Sequence, residues 1–319
     1  MVAPSGIDAK TRNRFFRPEK SILLLPRAIG LSMNYDHAYH AGNFADVLKH
    51  TVLALCLNHL TRKPKPFFVL DTHAGQGRFD LAGPEAEKTG EARGGIFRLL
   101  EAPDLPEALA PYLAQVRRLG MVEGTLRRYP GSPLLARALM RPGDRLVAAE
   151  LHPVHGESLA RLMRGDRDTR IEARDGYEAL KALVPPPERR GLVLIDPPFE
   201  RTDEFTALER AVTALVGRWR AGTCVIWYPI KDEPAVRRFH QTLKDRLDVP
   251  TLIAELWVRP RFPPLKLNGT GLVILNPPYP LHTALPEVLP WLAGVLAEPG
   301  GGDWRLDWLI EERMGPCPG

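Results

Sequence analysis

The sequence predicts an α/β protein built on a doubly wound, mostly parallel sheet of seven strands. Three observations carry that reading. Seven short strand-like runs recur, six of them almost unbroken in apolar residues, as strands covered on both faces are. Segments with helical spacing lie between most of them. Four of the runs end in an acid. Alternating strand and helix gives a sheet with helices on both faces, and such sheets bind ligands beyond the carboxyl ends of their parallel strands.

At 319 residues and 44% hydrophobic the chain can bury a full core. No apolar run reaches the ~20 residues that span a bilayer, so a membrane reading drops out. Residues 1–32 read as an extension, with six basic residues against two acidic ones. Its "SILLLPRAIGL" is interrupted by Pro26 and Arg27 and followed by no small-residue cleavage site, which argues against a secretory signal. Its Arg-rich, acid-poor character leaves a transit peptide open. Functional-looking sequence begins at Met33, the expected working start of a domain over 33–319. Without the extension the net charge of +5 falls to +1, so bulk basicity is a weak argument for nucleic acid. Local pairs are better candidates, because phosphate contacts need several cations on one face. Such pairs are Arg117 with Arg118, Arg127 with Arg128, Arg189 with Arg190, and Arg237 with Arg238. Cys56, Cys224 and Cys317 form no CxxC motif and leave one over, which fits a reduced, cytoplasmic protein. His37 and His40 come without a ligand set, and no metal is expected.

Taken in order, "NFADVLKHTVLALCLNHLTRK" has apolar residues at the spacing of a half-buried helix, stopped by Pro64 and Pro66. "FFVLD" to Asp71 is the first strand. "RLVAAE" to Glu150, "RIEARD" to Asp175, "LVLID" to Asp196, "CVIWYP" to Pro229, "TLIAELWV" to Val258 and "LVILN" to Asn276 follow. Helices are expected around Leu159 and Ala211. A dinucleotide fold places its ribose-binding acid about 20 residues past the glycine turn, whereas Glu150 stands 73 residues after Gly77. The excess reads as a small helical insertion over about 80–128 on the cleft rim. It carries the first two arginine pairs, which makes it the candidate nucleic-acid clamp.

"DTHAGQGRF" places Gly75 and Gly77 where the first strand turns toward a helix, and glycine there allows positive φ and close approach to a ligand. Asp80 stands where a third fingerprint glycine would be, which disfavours a pyrophosphate and hence a nicotinamide dinucleotide. A phosphate-free ligand with an adenosine end fits better, with Glu150 on the ribose hydroxyls and Asp175 and Gly176 at the adenine edge. "IDPPF" ends the fourth strand on the same side. An exocyclic amine is a poor nucleophile because its lone pair is delocalised into the ring. The Asp196 carboxylate and the Pro197 carbonyl can accept its two N–H bonds and localise that pair, while Phe199 can stack on an extruded base. "LVILNPPY" repeats the pattern at Asn276 to Tyr279.

The ordered set "YDHAYHAGNFADVLKH", "DTHAGQGRF", "YPGSPLLA", "AELHP", "RDGYEAL" and "LVLIDPPF" resembles the RlmJ family of bacterial 23S ribosomal RNA adenine-N6 methyltransferases, from Met33 to about Trp308. The resemblance implies a Rossmann-like class I methyltransferase fold, S-adenosylmethionine as methyl donor, and methylation of one adenine of 23S ribosomal RNA. It implies donor contacts at His50, His73, Ser132, Glu150, Asp175, Gly176 and Asp196, with Asp196 also the acidic residue of the catalytic motif. Tyr35 matches a tyrosine that helps close the site, and Lys49 the lysine beside the donor-binding histidine. The family usually has tyrosine where this chain has Phe199, a change that keeps stacking and loses a hydroxyl contact. It also implies that the seventh strand is antiparallel and inserted beside the fifth, which would point Asn276 away from the cleft. The expected partner is protein-free 23S ribosomal RNA or an early assembly intermediate, and the expected state a monomer. A DNA adenine or protein glutamine methyltransferase could use the same tetrapeptide, and a non-catalytic RNA-binding protein is the alternative of a different class.

Overall fold

The computed structural model describes residues 36–262 and 267–311. The expected extension over 1–32, the expected start at Met33, Tyr35 and Cys317 lie outside these residues. All seven expected strands form: β1 (Phe68–Asp71), β2 (Arg145–Ala149), β3 (Thr169–Glu172), β4 (Gly191–Ile195), β5 (Thr223–Ile230), β6 (Thr251–Trp257) and β7 (Gly269–Leu275). An eighth, β8 (Asp303–Ile310), extends the sheet at one edge, where it pairs antiparallel with β6. The order across the sheet is β8-β6-β7-β5-β4-β1-β2-β3. Strands β1 to β5 run parallel, and β7 lies antiparallel between β5 and β6. That is the order expected of a Rossmann-like methyltransferase sheet.

Alternation along the buried strands sends side chains to two faces. Val69, Leu192, Leu194 and Val225 pack on the side of α1 (Phe44–Thr61), α3 (Ser132–Leu139) and α8 (Tyr279–Leu296). Phe68, Leu70, Val193, Ile195 and Ile226 pack on the side of α5 (Gly176–Leu183), α6 (Glu204–Arg218) and α7 (Glu233–Arg246). Helix α4 (Pro153–Leu162) covers Ala74 and Ala148 through Leu159.

Helix α1 starts where the Asn43 side chain accepts the free N–H groups of Ala45 and Asp46. It is buried on nearly every side as far as Leu57, more than its apolar spacing predicts. The added cover comes from the segment between β1 and β2. There α2 (Ala110–Gly120) inserts Tyr112, Leu113 and Val116 into the same core, beside Ile96 and Leu99. This segment is mostly helical and also forms two short ribbons, Arg78–Asp80 with Arg128–Pro130 and Met121–Val122 with Thr125–Leu126.

The two proline motifs end at opposite edges. Leu275, the last residue of β7, pairs with Cys224 near the start of β5, whereas Ile195 at the end of β4 pairs with Ile226 midway along it. Asn276 is in the left-handed region and its amide donates to the carbonyls of Arg220 and Gly222 at 2.8 and 2.9 Å. Its side chain ties a loop.

Candidate functional site

The floor of the cleft is made where β1, β2 and β4 end together. Thr72 N–H donates to the Leu194 carbonyl at 3.0 Å and Ala74 N–H to the Ala149 carbonyl at 3.0 Å, so the turn after β1 is tied to both neighbours. Gly75 and Gly77 are at φ +61° and +78°, the left-handed values that this turn requires. Glu150, at the end of β2, accepts Gly75 N–H on one oxygen and His152 N–H on the other, each at 2.7 Å. It is therefore oriented across the glycine turn, with lone pairs to spare on both oxygens.

Strand β3 stops at Glu172, short of Asp175, which instead caps α5. Both capping bonds, from Tyr177 N–H at 2.9 Å and Glu178 N–H at 3.0 Å, fall on the same oxygen, Oδ1. Gly176 follows in close contact with the first turn. A Cβ there would stand 2.3 Å from the Thr72 carbonyl and 2.8 Å from the His73 ring. The Thr72 hydroxyl donates to Leu194, so His73 Nδ1, 2.8 Å from that hydroxyl, is the protonated ring nitrogen. Burial lowers the His73 imidazole to about 4, leaving Nε2 a neutral acceptor on the Gly176 side.

Asp196 follows β4 directly and Pro197 is buried behind it. Phe199 adopts φ +51°, uncommon for a ring-bearing residue and a sign that the turn is held by its surroundings. Its ring meets Phe205 at 5.0 Å and Trp227 at 5.6 Å, both nearly edge to face. The Asp196 carboxylate pairs with the Lys49 ammonium at 2.5 Å, and Lys49 also pairs with Asp46 at 2.9 Å. Burial alone would lower the Lys49 ammonium, but the two carboxylates outweigh it and hold Lys49 above its ordinary value. Asp46 is likewise buried yet held well below the carboxylate range by His37, Lys49 and His50. Its Oδ2 also takes the His37 ring at 2.9 Å and Gly42 N–H at 2.8 Å. This network fastens residues 37–42 to α1.

Asp71, the last residue of β1, is buried, and no described group completes a hydrogen bond to either of its oxygens. Burial pushes its carboxyl up to about 7, the Ser132 hydroxyl pulls against this, and the charge of Asp196 adds to the rise. Ser132 opens α3 and is itself buried.

Of the sequence-predicted residues, Lys49, His73, Ser132, Asp175, Gly176, Asp196, Pro197 and Phe199 gather at these ends, with Glu150 at the glycine turn. His50 turns the other way. Its Nδ1 lies 2.7 Å from the Tyr129 hydroxyl, which in turn lies 2.9 Å from that of Tyr112, and its ring stacks on Tyr129. Burial lowers this imidazole to about 3. Sequence reading passed over Asp46, although its place three residues before Lys49 on a helix signals an ion pair. It also noted Asp71 only as a strand-end acid. Among the described residues no group of His, Cys, Asp and Glu could hold a metal ion.

Four acids at or just beyond four adjacent parallel strand ends, one of them, Asp71, fully buried, make a cleft suited to a cationic ligand without phosphate. Residues 64–310 match the family model described as "Ribosomal RNA large subunit methyltransferase D, RlmJ". The chain is 41% identical over 280 residues to "Ribosomal RNA large subunit methyltransferase J" of Haemophilus influenzae, and 40% identical over 280 residues to the protein of the same name in Escherichia coli K12. Each match covers 88% of this chain and 100% of the relative. Among solved structures, a Legionella pneumophila protein superposes with a TM-score of 0.78 at 33% identity, covering 84% of this chain and 98% of that one.

Proposed function

The chain belongs to the RlmJ family of large-subunit ribosomal RNA methyltransferases, and from that premise we propose that it transfers a methyl group from S-adenosylmethionine to the exocyclic N6 of one adenine in 23S ribosomal RNA. The observation that carries this reading is the placement of Asp196. Its carboxylate stands at the cleft end of β4, held by buried Lys49 and close enough to the buried acid Asp71 to raise it. The residues present suit the donor: Glu150 for the ribose, Asp175 and Gly176 for the adenine edge, and His73, Ser132 and Asp196 nearer the reacting end. His50 would act from behind, through Asp46.

S-adenosylmethionine supplies an electrophilic methyl group on a cationic sulfur. Asp196 and the Pro197 carbonyl accept the two N–H bonds of the target amine and direct its lone pair toward that methyl. Lys49 fixes the Asp196 carboxylate in one orientation, so the acceptor needs no reorganisation as charge develops on nitrogen. Asp196 or water takes the proton that the amine then gives up. Positioning and preorganised electrostatics supply most of the rate, and no covalent enzyme intermediate is required.

The substrate is read as protein-free RNA or an early assembly intermediate, and the protein as a cytoplasmic monomer. In support, Cys56 and Cys224 are unpaired and no described helix is long and apolar enough to cross a membrane. The test is to incubate the protein with methyl-labelled donor and, separately, unmodified 23S RNA, assembled large subunits, duplex DNA and protein, then map the product by mass spectrometry. Label on one adenine N6 of the RNA is expected. Label confined to DNA or protein would replace this reading, and failure to bind donor would favour a non-catalytic RNA-binding protein.

A further inference from the structure

Strand β5 outruns β4 on the cleft side. Ile195 ends β4 opposite Ile226, so the next residues, Asp196 and Trp227, stand level with each other. Trp227 is the one residue of β5 that is not buried. It shares the α1 face of the sheet with Val225, the face from which Lys49 reaches Asp196. Its indole N–H donates to the Thr270 hydroxyl on β7 at 2.7 Å, which satisfies the polar atom and fixes the ring. The Lys49 ammonium lies 6.0 Å from the ring centroid.

Phe199, the aromatic residue of the proline motif, meets Trp227 at an interplanar angle of 82°. It is also packed by Phe205, which in turn leans on Phe239 in the core of the opposite face. Two rings set edge to face leave no slot between them for a base. Both rings are partly exposed, and the indole is the one that a side-chain hydrogen bond also pins.

We propose that Trp227 forms, together with Phe199, the aromatic wall against which the purine base whose amine is held by Asp196 is stacked. This rests on the reading above that the chain methylates a base in RNA. It assigns to β5 a positioning role that the proline motif alone does not supply. An indole face suits any purine, so Trp227 supplies affinity for an extruded base, and Asp196 with the Pro197 carbonyl supplies the demand for an amine.

The test compares wild type with Trp227→Ala, Trp227→Phe and Thr270→Val. Methyl transfer is followed on a protein-free large-subunit RNA transcript, and donor affinity is measured by calorimetry. Removing a stacking aromatic should lower kcat/KM for RNA roughly ten- to hundredfold in Trp227→Ala, mainly through KM. Trp227→Phe should recover most of it, Thr270→Val should show a smaller fall, and donor affinity should stay within about twofold throughout. A transcript carrying 2-aminopurine at the methylated position should show fluorescence quenching with wild type and lose it with Trp227→Ala. Should the alanine variant fail to fold, the other two variants and the quenching by wild type carry the comparison. Loss of donor affinity in parallel with kcat/KM would make Trp227 a packing residue and overturn the proposal. So would unchanged RNA kinetics in the folded variants, or no quenching by wild type. A wild-type protein that transfers no methyl to RNA overturns the earlier reading, and this one with it.

Discussion

Replacing Gly176 with alanine tests whether the close contact of α5 with the end of β1 is what shapes the donor cleft. The added Cβ would lie 2.3 Å from the Thr72 carbonyl oxygen, with the His73 ring atoms at 2.8 and 3.0 Å. A backbone carbonyl cannot rotate aside as a side chain can, so α5 and the turn must separate by about 1 Å to restore ordinary contact. Overpacking of that size costs about 1–3 kcal/mol. The same movement carries Asp175 and His73 with it, and a misplacement of about 1 Å can cost on the order of a hundredfold where geometry governs. Urea unfolding followed by circular dichroism should show the stability loss, and calorimetric titration with S-adenosylmethionine should show affinity falling roughly ten- to hundredfold. Gly217→Ala is the matched control, since Gly217 lies in α6 with nothing within 4 Å of its would-be Cβ; it should be neutral or stabilise by up to about 1 kcal/mol. If Gly176→Ala unfolds with wild type and binds donor within twofold of it, the argument from close contact is wrong.

Asp71 should make stability fall as pH rises. Its carboxyl is at about 7 in the folded protein against about 3.9 unfolded. Between those values the folded state keeps a proton that the unfolded state has released, so up to about 4 kcal/mol present below the lower value is lost by the upper one. Asp71→Asn should therefore gain on wild type more at pH 8 than at pH 4 in urea unfolding; the same difference at both would count against a carboxyl raised by burial. Asn276→Ala forfeits two hydrogen bonds and a favourable left-handed residue. It should cost about 1–3 kcal/mol while methyl transfer persists, and lost transfer in a folded Asn276→Ala protein would contradict the topology. His50 and His73, at about 3 and about 4, should stay neutral in heteronuclear NMR from pH 5.5 to 8, whereas a midpoint near 6.5 in either would contradict their burial.

Six of the runs were readable as strands because strands buried on both faces need apolar residues at nearly every position, whereas β3, an edge strand with Arg170 exposed, was placed by its position between helix-like segments. Strand β8 is half-exposed, and the polar residues Arg305 and Asp307 interrupt it, so the same search passes over it. The acids Glu150 and Asp196 could be located because they follow such runs directly. Asp175 could be located as well, although its place is a helix cap rather than a strand end. The orientation of His50 was hidden, because it depends on Tyr129 and Tyr112, 79 and 62 residues away. Trp227 was hidden for a similar reason: within an apolar strand nothing local marks the one ring that the shorter neighbouring strand leaves uncovered.

On the proposed mechanism Asp196 orients the amine that receives the methyl group. The most direct test is Asp196→Ala, assayed with labelled donor on the same 23S RNA under single-turnover conditions, with urea unfolding alongside. Lys49 keeps its pairing with Asp46 in that variant, so the fold should survive. A folded protein with methyl transfer abolished is expected, and a folded variant with full activity would contradict the role of Asp196.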